Sequence, residues 1–237
     1  MKTSRKAAAW LITLFLVIEA VLCILVQRTT GTTLVVVSYM AVVLAFVFSL
    51  IQLRRDYNYI LTTAGLLMTI CADLFLVVLN PQIPVLAMGF FSITQICYFI
   101  RIYRNQESIR ARRIHLITRV GLVVLAMAAT VLVLGEKTDA LSLISLFYYG
   151  NLLINTVFAF TNKRIRILAI GLLLFTLCDL FIGLNILCSS YIPLQEGTFL
   201  YFLANPGVNM AWIFYVPSQT LIAVSNKFCR NNTMKLN

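Results

Sequence analysis

Two aspartates stand where hydrocarbon would make them costly. Asp73 lies in GLLMTICADLF (Gly65–Phe75) and Asp179 in GLLLFTLCDLF (Gly171–Phe181). Acids inside membrane spans are rare and mark functional sites by default. Two carboxyl groups around one low-dielectric cavity suit general acid–base work, because low dielectric and a neighbouring negative charge both favour a neutral acid. Such a pair titrates as a unit, which leaves the acid and base roles open. The competing role is plain: each acid hydrogen-bonds a neighbouring helix.

Other polar residues fall in apolar runs near these two. Gln95, Tyr98, Tyr215 and Gln219 are candidates to orient water, substrate or the acids. Bridging helices is the alternative role for the glutamines, and packing for Tyr98. Tyr148, Asn151 and Asn155 fall at i, i+3 and i+7, on one helical face. Unsatisfied amides are costly in lipid, so that face should look inward, either lining the cavity or joining helices. Glu19 is a third acid in an apolar run. It touches substrate, pairs with a polar neighbour, or sits near a membrane interface. With one histidine, His115, and no clustered acids or cysteines, no metal site and no cofactor are expected. His115 lies among arginines, where a solvated or headgroup-contacting role is expected.

The elements that position these residues must be membrane helices. The 237 residues are 61% hydrophobic and only 11% charged, whereas soluble domains carry roughly 25% charged residues. Eight spans are read, at 7–26, 34–53, 58–79, 84–103, 117–135, 140–160, 167–188 and 207–226. The expected class is all-α, a polytopic membrane protein forming one domain over 1–237. The first apolar run ends at Gln27 and Arg28 with no small-residue cleavage site, unlike a removable signal peptide. The longest connection, 189–206, contains Pro193, Gly197 and the Asn205-Pro206 pair, which suits a helix start. The six cysteines form no CxxC pair and read as buried, reduced thiols.

The net charge of +11 does not point to nucleic acid. Basic residues gather in short clusters on alternate sides of the spans: Lys2, Arg5 and Lys6; Arg54 and Arg55; six arginines from Arg101 to Arg119; Lys163, Arg164 and Arg166; Lys227, Arg230 and Lys235. The other side holds Arg28 and Lys137. This asymmetry predicts both termini in the cytoplasm and an integral membrane location, the plasma membrane in a bacterium. Anionic membrane lipids are the expected partners of these clusters. The C-terminal Asn231-Asn232-Thr233 fits a glycosylation pattern but falls on the predicted cytoplasmic side.

The chain also reads as an internal repeat. Gly65 and Gly171 are 106 positions apart, as are Asp73 and Asp179, with leucine and phenylalanine matches between them. Phe91 with Gln95 and Tyr215 with Gln219, each four residues apart, give a weaker echo. Halves of four spans, about 7–103 and 117–226, enter the membrane from the same side, so the repeat is parallel. A pseudo-twofold axis would bring both aspartates to one centre, each roughly 9–14 Å from the outer end at 1.5 Å per residue. Pro217, inside span eight, frees a backbone carbonyl and suits a kink beside that centre.

At these residues the sequence resembles the YhhN-type lysoplasmalogenases, a family of eight-span membrane proteins. Their first half carries Gly-Asp in span three and Phe-x3-His-x2-Tyr in span four. Their second half carries Gly-x3-Phe-x3-Asp in span seven and Tyr-x3-Gln-x-Leu-Ile in span eight. Here the matches are Asp73; Phe91 and Tyr98; Gly171, Phe175 and Asp179; Tyr215, Gln219, Leu221 and Ile222. The departures are Ala72 for the glycine, Gln95 for the histidine, and no Lys-Pro pair in span two.

The resemblance implies hydrolysis of the vinyl ether of a lysoplasmalogen, with a lysophospholipid as substrate and a fatty aldehyde and a glycerophospho-base as products. Asp73 and Asp179 would be the catalytic pair, Asp179 the better fit to the general acid. Two other classes stay open: a non-catalytic lipid-binding relative, to which the missing lysine and histidine point, and a small-solute or proton-coupled transporter, which parallel repeats with intramembrane acids also fit.

Overall fold

A computed structural model describes residues 2–106, 108–191, 195–205 and 210–229. In chain order the helices are α1 (Lys2–Arg28), α2 (Gly31–Ile51), α3 (Tyr57–Asp73), α4 (Pro84–Asn105), α5 (Ile109–Leu134), α6 (Ala140–Phe160), α7 (Arg166–Ile186), α8 (Phe199–Ala204) and α9 (Met210–Val224). No strand occurs among the described residues. The helices α1 to α7 are long and apolar enough to cross a membrane. The described part of α9 is shorter, 15 residues. The eighth span, expected at 207–226, therefore rests on α9, and its first residues, with Pro206, lie outside the described residues, as does Pro193.

The surface explains the solvent. Large apolar side chains face outward along whole helices, as with Ile117, Val120, Leu125 and Leu132 of α5. Water-soluble monomers rarely expose patches of that extent. The interior holds the polar residues instead: Asp73, Gln95, Arg101, Asn155 and Gln219 are all buried. Local signals set several helix starts. Asp56 accepts from the Asn58 backbone at α3 (2.8 Å), and Ser108 from Ala111 at α5 (3.1 Å). Asp139 and Ser142 form a capping box at α6.

Neighbour relations recur between the halves. The pairs α1–α2, α2–α3 and α3–α4 are matched by α5–α6, α6–α7 and α7–α9. The crossing contact α4–α6 is matched by α2–α9. Individual positions repeat as well. Gly65 and Gly171 both let a helix come close: a Cβ on Gly65 would lie 2.5 Å from the Tyr98 ring, and one on Gly171 2.9 Å from Ile222. Tyr98 and Ile222 are 124 residues apart, the separation that also relates Phe91 to Tyr215, Gln95 to Gln219 and Arg101 to Ser225. This spacing exceeds 106 because the connection holding α8 is the longer one. The Arg101 guanidinium donates to Ser225 (2.8 Å), which joins two positions at this separation. One relation is less well matched: the backbones of α1 and α9 approach closely, whereas α5 meets α4 through long side chains, His115 edge-on to Phe99 (5.2 Å) and Arg119 over the same ring.

Three details differ from the sequence expectations. The helix of span five begins at Ile109 rather than 117, so Arg110, Arg112, Arg113, His115 and Arg119 ride on it. The connection after α7 contains a short helix, α8, with Phe199 and Phe202 turned outward. All six cysteines are free, as expected, but of these Cys178 is buried and the other five are partly exposed.

Candidate functional site

Asp73 is the last residue of α3, where the helix loosens into a wider π turn over Leu74–Val78. Turns of that kind are frequent at functional sites. Its side chain is 5% exposed, and the Tyr215 hydroxyl of α9 donates to its Oδ2. Asp179, on α7, is half-buried, and the Tyr148 hydroxyl of α6 donates to its Oδ2. Each acid thus receives one tyrosine hydroxyl from a neighbouring helix, and the Cys178 thiol lies against Asp179 as well.

Aromatic rings join the two. Phe175 contacts Tyr215 (centroids 5.7 Å) and Tyr148 (6.5 Å). Phe91 stacks on Tyr148 (5.3 Å) and meets Phe175 edge-on (5.9 Å). Phe91 occupies the position equivalent to Tyr215 but has no hydroxyl, and Tyr148 of α6 supplies one beside it. A narrow crevice at Asp73 is lined by Ser38, Tyr39, Val77 and Trp212. Trp212 also meets the Tyr215 ring edge-on (5.6 Å).

The remaining sequence candidates gather elsewhere. Asn155 is fully buried and donates to the backbone oxygen (2.9 Å) and side-chain Oε1 (3.0 Å) of Gln95. Arg119 donates to Asn155 (2.5 Å) and to Asn151, contacts His115 Nε2 (3.2 Å) and lies over the Phe99 ring (4.1 Å). Gln95, Asn151 and Asn155 therefore belong to an amide–guanidinium cluster and make no hydrogen bond to either aspartate. Gln219 donates to Ser218 (3.1 Å). The Tyr98 ring packs on Gly65, and its hydroxyl has no hydrogen-bond partner among the described residues.

The solvated role expected of His115 is corrected. It is fully buried and stacks on Phe158 (centroids 4.0 Å). The helix starts early enough to turn it inward. Arg101, read as part of a surface cluster, is also fully buried, donating to Thr62 (2.7 Å) and Ser225. Tyr148 is the residue whose role the sequence left most open. Its spacing from Asn151 put it on the inward face, but nothing in the sequence linked it to Asp179.

Fold and site together define a class: an all-helical membrane protein whose bundle interior holds two carboxyl groups, each bound by a tyrosine. The comparison with known families agrees. Residues 40–226 match the model described as the YhhN family, and the chain belongs to that family. No curated protein and no solved structure matches it.

Proposed function

We propose that the protein is a lysoplasmalogenase-like hydrolase that cleaves the vinyl ether of an ether lysophospholipid by means of Asp73 and Asp179. Membership of the YhhN family supports the reaction class. The observation that carries the residue assignment is the pair of tyrosine–aspartate hydrogen bonds joined by Phe91 and Phe175. Asp179, as the carboxylic acid, protonates the alkene carbon remote from the ether oxygen and leaves an oxocarbenium ion. The Asp73 carboxylate faces that cation and takes a proton from the water that adds to it. Asp73, now protonated, gives its proton to the glyceryl oxygen while Asp179 takes the hydroxyl proton; the hemiacetal carbon–oxygen bond breaks, giving the fatty aldehyde and the glycerophospho-base and restoring both carboxyls. The tyrosines hold each carboxyl in place through one oxygen. Apolar walls keep one proton on the pair and limit water to the molecule that reacts.

Gln95, which stands where the family has histidine, accepts from Asn155 through its backbone and side-chain oxygens and makes no hydrogen bond to either acid. That favours retained activity over a purely lipid-binding relative. Hydrolysis in heavy water tests the mechanism: the released aldehyde should carry one deuterium on the carbon next to the carbonyl. Bound lipid with no aldehyde would support the non-catalytic reading instead.

A further inference from the structure

The contact between α1 and α9 encloses a cavity of about 350 Å³. Its walls are mostly apolar, with Leu16 and Ile24 from α1 and Val216 and Pro217 from α9. Leu16 and Ile24 are 41% and 63% exposed, so the mouth opens on the outer apolar surface of the bundle. Glu19 projects into this groove and is only 3% exposed. Thr220 faces it across the groove, but the Thr220 hydroxyl donates to the Val216 carbonyl (2.8 Å). Thr220 lies within electrostatic reach of the Glu19 carboxyl, but neither Glu19 oxygen makes a hydrogen bond of normal geometry among the described residues.

An unpartnered acid in an apolar cavity of this size is the arrangement expected of a small-molecule site. Nothing in the other half mirrors it: the position 106 residues on is Leu125. The matched family region begins at residue 40, so α1 and Glu19 lie outside it. The site is therefore separate from the aspartate pair and peculiar to this end of the chain.

The chemistry of the occupant follows from the surroundings. A bare carboxylate beside hydrocarbon is very costly, so the ligand meets a carboxylic acid, with one donor and one acceptor. A hydroxyl answers both at once, accepting from the acid O–H and donating to its carbonyl. The apolar walls and the mouth toward lipid suit a single hydrocarbon chain. We propose that the α1–α9 groove binds a single-chain lipid with an uncharged, hydroxyl-bearing head, held through Glu19.

Photolabelling with a hexadecanol carrying a diazirine in its chain tests this on the purified, detergent-solubilised full chain. Label should map to the Leu16–Ile24 stretch and to Val216, and excess hexadecanol should compete while palmitate and hexadecyltrimethylammonium do not. Glu19→Gln keeps a donor and an acceptor and should retain labelling. Glu19→Met should lower it about five-fold, the worth of one hydrogen bond. Leu16→Trp, which fills the groove from its rim and leaves Glu19 intact, should lower it as well. Labelling spread over the outer helices, unchanged in Glu19→Met or in Leu16→Trp, overturns the proposal. So does loss in Glu19→Gln with competition by the ammonium, which would mark a cation site. The readout does not involve hydrolysis, so it stands or falls apart from the aspartate mechanism.

Discussion

The bundle interior holds two polar clusters of opposite character. In one, Asp73 and Asp179 each accept a hydrogen bond from a tyrosine, and one of them borders a crevice. In the other, Arg119 is surrounded by neutral groups, Asn151, Asn155 and His115, with an aromatic ring against its plane. The second cluster ties α4, α5 and α6 together: Asn151 and Asn155 accept from Arg119, and Asn155 donates to Gln95. The first presents carboxyl groups among aromatic rings, and a carboxyl can exchange a proton where an amide or a guanidinium does not. Burial of a polar residue in the membrane is thus not enough to assign it chemistry: the acid–base capacity of the buried group decides.

The difference predicts which substitutions stop turnover. Asp179→Asn and Asp73→Asn should each lower aldehyde release by about 10²–10⁴, the usual contribution of a positioned acid or base, with the protein still monodisperse in detergent. Arg119→Gln should stay near the parent rate in the same assay. A loss as large as that of the aspartate variants would erase the distinction between the clusters. For packing, Gly171→Ala should lower the unfolding free energy by about 1–3 kcal/mol, because the new methyl meets Ile222 and the Ser218 carbonyl. Gly89→Ala, with open space at that position, should be neutral or slightly stabilising in a thermal melt.

Smaller effects sharpen the tyrosine assignment. Tyr148→Phe and Tyr215→Phe remove the hydroxyl from each acid and should cost roughly ten-fold in kcat, the equivalent of one hydrogen bond to a charged or polar partner. Tyr98→Phe removes a hydroxyl that has no hydrogen-bond partner among the described residues and should leave both kcat and melting temperature unchanged. Equal losses in all three would mean that these rings act through packing alone.

Much of the architecture was legible because hydropathy and the positions of basic residues report directly on membrane helices. The two aspartates and Tyr215 were legible because the repeat and the family motifs single them out. The start of α5 was not, since its first turns carry Arg110, Arg112 and Arg113, which depress local hydropathy. The Ser108 cap and the inward face of His115 and Arg119 decide it instead. The pairing of Tyr148 with Asp179 was hidden for a different reason: it joins adjacent helices α6 and α7, whose relative rotation no spacing rule fixes. Asn155 was read as inward and Gln95 as orienting water or the acids or bridging helices; their hydrogen bonds to each other depend on how α4 meets α6 across the two halves.

The central claim is that the aspartate pair hydrolyses a vinyl ether. Aldehyde release from a lysoplasmalogen by the purified protein, run beside Asp73→Asn and Asp179→Asn, tests it most directly. Release by the parent chain that disappears in both variants is the predicted result. Release that survives in either variant, or a parent chain that yields no aldehyde, would contradict it.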